Sequence, residues 1–196
     1  MEKRRLLNAV LTMALGSSLV AGCGPLMNTG QSSAAGQIPP FKDSRSVALV
    51  NPISQFNVTQ ADTSVYTQVK VYDQSGHQVV LNAKDQPLLF EAYWCPHCQR
   101  TLVSLNQHRA TLHAFPTIVS MGFVPGTTLK QAVSLSETEL NTFHITNVKV
   151  YYLLDPTESK QVIHSYPTLV FPYHNQLDRL VGEHTYPVWQ QALNQL

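Results

Sequence analysis

The chain is poor in cysteine, in charge and in long apolar runs. Its three cysteines, Cys23, Cys95 and Cys98, are too few for a disulfide-stapled scaffold. Charged residues make up 13% of it, against a usual share near 25%. No basic patch or block of like charge suits nucleic acid or another polyelectrolyte. A Gly-rich phosphate loop and a Gly-x-Ser-x-Gly elbow are both missing. A membrane span needs about 20 apolar residues. The stretch from Leu6 to Val20 is shorter and is interrupted by Asn8, Thr12, Gly16, Ser17 and Ser18. Apart from His97 the histidines (77, 108, 113, 144, 164, 174 and 184) are scattered and read as surface residues. His164, His174 and His184 stand ten apart, a spacing that matches no simple metal motif. No metal ligand set and no cofactor are expected.

What is present is Trp94-Cys95-Pro96-His97-Cys98, directly after the apolar run Leu88-Leu89-Phe90-Glu91-Ala92-Tyr93. Two thiols at Cys-x-x-Cys spacing close a small disulfide when they sit on the first turn of a helix. Unpaired N–H groups and the positive end of the helix dipole favour a thiolate there. A strand feeding into such a turn is the layout of a thiol–disulfide exchange site. The alternatives are half of a zinc site or two buried small residues. A cysteine-based zinc site needs four ligands, and the remaining cysteine, Cys23, lies in a leader.

Residues 1–22 read as a secretory signal, with Lys3-Arg4-Arg5, an apolar stretch and small residues. Val20-Ala21-Gly22-Cys23 resembles the lipobox of bacterial lipoproteins, which implies cleavage before Cys23 and its lipidation. An ordinary signal peptide or an uncleaved anchor are the alternatives. A diacylglyceryl group with an N-acyl chain holds a protein stably on a bacterial membrane, where one chain alone does not. The location implied is extracytoplasmic and lipid-anchored. The processed chain would hold ten basic and eleven acidic residues, a balance of −1. It would keep two thiols, and outside the cytosol an unoccupied pair is normally there to be used.

Residues 24–46 are rich in Gly, Ser, Ala, Gln and Pro and read as a flexible linker after the lipidated residue 23. As a coil it would reach roughly 26 Å. Residues 47–196 suit one domain with a core of its own. Val65–Val71 and Gln78–Leu81 predict a hairpin closed by Asp73-Gln74-Ser75-Gly76. Leu88–Trp94 predicts a buried central strand, and Cys95 to about Leu112 a helix with Leu102 and Leu105 inward. Thr117–Val124 and Val148–Leu154 predict further strands. Residues 127–143 predict a helix with Leu129, Val133, Leu140 and Phe143 inward and a break at Ser134–Ser136. A short helix near Glu158–His164, strands at 166–171 and 177–181, and a closing helix over 187–196 complete the reading. Strands alternating with helices imply an α/β sandwich with parallel central pairs.

Trp-Cys-x-x-Cys after a buried strand, Tyr166-Pro167-Thr168-Leu169-Val170-Phe171 some seventy residues on, and a late strand ending in Gly182 resemble the thioredoxin fold. That fold is a central mixed sheet flanked by helices. The early hairpin and the inserted helix resemble its membrane-anchored redoxin branch, the TlpA-like thiol–disulfide oxidoreductases. The resemblance spans about Val65 to Leu196. It implies Cys95 as the exposed nucleophile and Cys98 as the resolving thiol. Pro167 would be a cis-proline facing the disulfide, Tyr166 would offer backbone hydrogen bonds to a substrate chain, and Trp94 would flank the site. The family's buried acid, six residues before the first cysteine, is replaced here by Leu89. Glu91, two residues on along the same strand face, is the candidate to serve instead.

Pro96-His97 is the dipeptide of strongly oxidising, DsbA-like periplasmic proteins, and a histidine there favours the thiolate and the reduced form. This tips the expectation towards donating disulfides to protein thiols. The TlpA-like frame favours reduction instead, for instance of the haem-binding cysteines of apocytochrome c. Either direction needs a membrane or extracytoplasmic redox partner. A copper- or zinc-handling lipoprotein is a further alternative. Substituting Cys23→Ala is expected to abolish acylation of the full-length chain, read by fatty-acid labelling and intact mass; undiminished labelling would contradict the lipobox reading.

Overall fold

The apolar run before the cysteine pair forms β4 (Leu88–Glu91), whose four residues are all buried. It lies between β5 (Thr117–Ser120), parallel to it, and β7 (Thr168–Tyr173), antiparallel to it. This is a computed structural model describing residues 38–47, 50–163 and 165–195. The expected signal segment, Cys23, the linker up to residue 37, and His164 lie outside the described residues.

The other strands are β1 (Thr59–Gln60), β2 (Val69–Tyr72), β3 (Gln78–Leu81), β6 (Val150–Tyr152) and β8 (Gln176–Val181). The sheet order is β1-β8-β7-β4-β5-β6-β2-β3. β4, β5 and β6 are mutually parallel, as the alternation of strands and helices implied, and the remaining pairs are antiparallel. The helices are α1 (Thr63–Tyr66), α2 (Pro96–Gln107), α3 (Leu129–Thr142), α4 (Pro156–Val162) and α5 (Tyr186–Leu193).

Alternation along the strands splits the core into two layers. Leu88 and Phe90 face Tyr66, Val162 and Ile163, beneath α1 and α4. Leu89, Ile118, Leu169 and Phe171 face Leu102 and Leu105 of α2 and Trp189 and Leu193 of α5. Glu91 shares the face of Leu89, so its carboxyl enters the layer beneath α2.

Five expectations from the sequence need correction. Val65 and Tyr66 belong to α1, not to a strand, because Asp62 caps that turn by accepting from the Ser64 N–H at 2.8 Å. No break interrupts α3. Thr128 and Gln131 form a reciprocal capping box at its start, and Ser136 is buried against β5 with its hydroxyl donating to Ser120 Oγ at 3.0 Å. The inward stripe of α3 is Ala132, Ser136 and Glu139, while Leu129, Val133 and Leu140 are only partly buried. His184, read as a surface residue, is buried: Nε2 meets Asn57 Oδ1 at 2.8 Å, and the ring packs edge-on to Trp189.

The last correction concerns the linker, whose C-terminal part is a strap on the domain. Tyr93 donates its hydroxyl to Pro39 O at 2.9 Å. Gln99, fully buried on α2, donates from Nε2 to Tyr93 O at 2.7 Å and Lys42 O at 2.9 Å. Its Oε1 accepts from Ser44 N–H at 2.7 Å. Phe41 packs edge-on against Phe143, and the Arg45 guanidinium lies 4.5 Å from the same ring. These contacts place residues 38–46 in the domain and leave the linker expectation to the residues before them. Gln99→Ala strands several buried backbone groups and is expected to cost about 1–3 kcal/mol. Urea unfolding and faster proteolysis within residues 38–47 would show it; unchanged cleavage would contradict the strap's attachment.

Candidate active site

The turn from β4 to α2 builds the site. The Cys95 N–H donates to Ala92 O at 2.8 Å, and Cys95 is the N-cap of α2 with an extended backbone. Pro96 occupies the first helical turn, where its missing N–H leaves no gap in the ladder. Cys95 is 5% exposed, and Cys98, one turn into the helix, is fully buried beside Ala92 and Tyr166. Its Sγ accepts from the Ala92 N–H at 3.5 Å. Both thiols are reduced in this structure.

The two sulfurs differ in proton affinity because their surroundings differ. Cys95 is lowered to about 6, chiefly by a hydrogen bond from the Cys98 thiol that outweighs partial burial; the backbone N–H groups of Cys98 and His97 and the His97 charge add to this. Cys98 is pushed well above the ordinary range by burial, then by its hydrogen bond to Cys95 and the negative charge there. One sulfur is thus a thiolate at neutral pH and the other a thiol that donates to it.

Beneath them lie two carboxyls. Glu91 and Glu139 are each 1% exposed, and Glu91 Oε2 and Glu139 Oε1 have no hydrogen-bond partner. Glu91 is in register with Ser120 on β5, Ser120 is bonded to Ser136 of α3, and Glu139 is one turn further along that helix. Burial raises Glu91 to about 8, partly offset by Ser120 and reinforced by the charge of Cys95. Glu139 is raised well above the carboxylate range, by burial first and then by Glu91 and Cys95. Buried acids without a cation hold their protons.

His97 faces the opposite way, toward Glu183 just beyond β8, with Nδ1 and Glu183 Oε2 2.8 Å apart. Arg100 donates to both oxygens of Glu183, at 2.9 Å to Oε1 and 2.6 Å to Oε2. Trp94 is half exposed and donates from Nε1 to Gly122 O at 2.9 Å, with its ring edge-on to Tyr166. The Tyr166–Pro167 bond is cis, and the Pro167 carbonyl accepts from the Gly182 N–H at 2.8 Å. Gly122 has φ +72°, and a Cβ there would stand 2.9 Å from the Tyr166 hydroxyl, so a side chain would push Tyr166 off the cysteines.

A strand–Cys-x-x-Cys–helix unit on β4 and α2, a cis-proline leading into the antiparallel β7, and three parallel strands in the order β4-β5-β6 define the architecture. The fold is thioredoxin-like. No protein-family model and no curated protein matches the chain in sequence. It is similar to the crystal structure of a secreted disulfide oxidoreductase of Mycobacterium tuberculosis, at 18% identity and TM-score 0.44, over 64% of this chain and 89% of that one. A DsbF homologue of Corynebacterium diphtheriae matches at 14% identity and TM-score 0.46, over 76% and 98%. A thioredoxin-family thiol:disulfide interchange protein of Chlorobium tepidum matches at 14% identity and TM-score 0.47, over 69% and 97%.

The candidates Glu91, Trp94, Cys95, Pro96, Cys98 and Tyr166 thus meet in one region, with His97 at its edge and Pro167 next to Tyr166; Cys23 lies outside the described residues. Sequence reading missed Glu139, Ser120, Ser136, Arg100 and Glu183. Among the described residues no cluster of three or more metal-ligating side chains occurs, and no helix is long and apolar enough to cross a membrane. A cavity of ≈ 730 Å³ beside Pro87 and Tyr173 is at the other end of β4. A groove of ≈ 280 Å³ lies between Phe123, Pro125, Pro156, Ile163 and Tyr166, and Tyr166 also packs against the cysteines.

In the reduced protein, iodoacetamide is expected to label Cys95 with a pH midpoint near 6, leaving Cys98 unlabelled; a midpoint near that of a free thiol would contradict the site's electrostatics. Glu91 has a folded-state affinity raised from 4.5 to about 8. Its stabilising contribution is therefore fully present below 4.5 and lost as pH rises through about 8. The wild type is expected to lose stability relative to Glu91→Gln over that window, measured by urea unfolding. Parallel pH profiles would contradict a buried, protonated Glu91.

Proposed function

We propose that this protein is an extracytoplasmic, lipid-anchored thiol–disulfide oxidoreductase that donates the Cys95–Cys98 disulfide to protein thiols. The observation that carries the reading is the split between the thiols: a thiolate-forming Cys95 at a helix N-terminus above a buried, protonated Cys98. Cys95 and Cys98 are its catalytic residues, and Cys23 is its lipid attachment site.

In the oxidised enzyme a substrate thiolate attacks Cys95 Sγ. The Cys95–Cys98 bond breaks, a substrate–Cys95 bond forms, and Cys98 leaves as a thiolate. Glu91, protonated at neutral pH by its burial, gives its proton to that buried sulfur. A second substrate thiolate then attacks the substrate sulfur of the mixed disulfide. A substrate disulfide forms and Cys95 departs as a thiolate, the stable form of this thiol. Two electrons have passed to the enzyme, and an extracytoplasmic or membrane partner removes them. The substrate chain lies along Tyr166 and Pro167, with side chains entering the groove beside Phe123. Trp94 covers the approach, and Pro96 and His97 tune the thiolate.

Stabilising one thiolate stabilises the reduced pair, which makes the disulfide the stronger oxidant. This favours oxidation over reduction of substrates such as apocytochrome c. The test uses the oxidised full-length protein and a reduced, unfolded secretory substrate. Wild type is expected to introduce one disulfide per enzyme, and Cys95→Ser none. Cys98→Ser is expected to accumulate mixed disulfides through Cys95, visible on non-reducing gels. Net reduction of a disulfide-bonded substrate would reverse the direction, and absence of exchange either way would overturn the reading.

A further inference from the structure

Glu183 is a buried acid next to the redox site for which the exchange chemistry gives no role. It follows Gly182, whose left-handed backbone (φ +94°) turns the chain sharply at the end of β8. The turn is held on both sides. Gly182 N–H donates to the Pro167 carbonyl at 2.8 Å, and the Glu183 carbonyl accepts from Ile53 N–H at 2.8 Å. The Glu183 side chain is 7% exposed and points at α2.

Its carboxylate meets two residues of α2 at once. Arg100 spends Nε and one terminal nitrogen on it, and its other terminal nitrogen donates to the carbonyls of Arg45 at 2.9 Å and Val47 at 3.2 Å in the strap. His97 Nδ1 lies 2.8 Å from Glu183 Oε2 and 2.9 Å from the Arg100 terminal nitrogen. Nδ1 cannot serve both neighbours. A bare Nδ1 would set its lone pair against a carboxylate oxygen, whereas an Nδ1–H donates to it. That Arg100 nitrogen donates one of its two N–H groups to Oε2 at 2.6 Å, and the shorter contact of Nδ1 is the one to the carboxylate oxygen, which has no proton to give. The shorter contact favours the Nδ1–H form of His97. Arg100 holds the Glu183 carboxylate ionised and in place: burial works against its charge, but the hydrogen bonds and charges of Arg100 and His97 prevail.

We propose that Glu183 is a positioning residue of the redox site: it fixes the tautomer and orientation of His97, and through His97 it acts on the Cys95 sulfur. The charged and titratable groups facing His97 are Glu183 from the end of β8, and Arg100 and Cys95 from α2. Removing the negative charge leaves Arg100 as the unopposed neighbour of the ring, so His97 loses the anion that holds it in place beside Cys95.

This inference rests on the exchange reading, and its test separates the two. In the full-length reduced protein, Glu183→Gln keeps the shape and deletes the charge. The pH midpoint of Cys95 alkylation is expected to rise by about one unit, the scale of losing one opposite charge at close range. Glu183→Asp, which retains the charge, is expected to stay nearer wild type than Glu183→Gln. In a His97→Ser background, Glu183→Gln is expected to leave the midpoint unchanged. An equal change in both backgrounds would mean that Glu183 acts independently of His97, and no rise in the presence of His97 would mean that it does not act through the ring; either overturns the proposal. Should the variant fail to fold, 15N spectra of the wild-type imidazole decide: Nδ1–H at high pH supports the proposal and Nε2–H overturns it. Failure of substrate oxidation with an intact His97-dependent shift would instead sink the exchange reading alone.

Discussion

A helix that starts where a buried strand ends points its unpaired N–H groups at one atom, and in this chain that atom is the sulfur of Cys95. β4 is buried on all four residues, so the strand cannot slide, and Pro96 starts the helix immediately after the cap. The position of Cys98 follows from the helical turn. The positions of Glu91 below and His97 above follow from the alternation of the strand and the rotation of the helix. Groups of opposite effect are thereby sorted by depth. Carboxyls without cations lie under the buried thiol and keep protons there, while His97, Arg100 and the buried Glu183 form a second cluster at the rim of the site.

Magnitudes show why the rim is needed. A helix N-terminus supplies about 0.3–1 kcal/mol to a nearby anion, and at most about 2. The difference between a thioredoxin-like reductant near −270 mV and an oxidant near −120 mV is worth roughly 7 kcal/mol. The dipole cannot span that gap. In an oxidant the remainder would come from hydrogen bonds to the Cys95 sulfur and from polar groups beside it, and the side chain on the first turn of α2 is His97. A surface ion pair would be screened, but Glu183 is buried and held by Arg100.

Much of this was legible in the sequence, for identifiable reasons. Cys-x-x-Cys after an apolar run locates the strand–helix junction because both elements are local. Tyr166-Pro167 ahead of an apolar strand, and the inward set Val188, Trp189, Ala192 and Leu193 of α5, were readable from composition and period. The strap was not, because its bonds to Gln99 and Arg100 use backbone groups that any residue supplies. Gly, Ser and Pro enrichment described the whole of 24–46 alike. Glu139 and Ser136 were missed because a stripe search follows apolar residues, and the inward face of α3 is partly polar. The i, i+3 spacing of Ser136 and Glu139 was the available signal. Glu183 meets His97 across 86 residues, a contact that no local pattern encodes.

The most direct measurement is the equilibrium reduction potential of the full-length protein in glutathione buffers, followed by the thiol state of Cys95 and Cys98. A thiolate held near pH 6 above a buried, protonated partner predicts a reversible two-electron couple above about −160 mV, on the oxidant side of the thioredoxin-fold range. A couple below about −240 mV would contradict the account, since the site would then stabilise the disulfide over the thiolate.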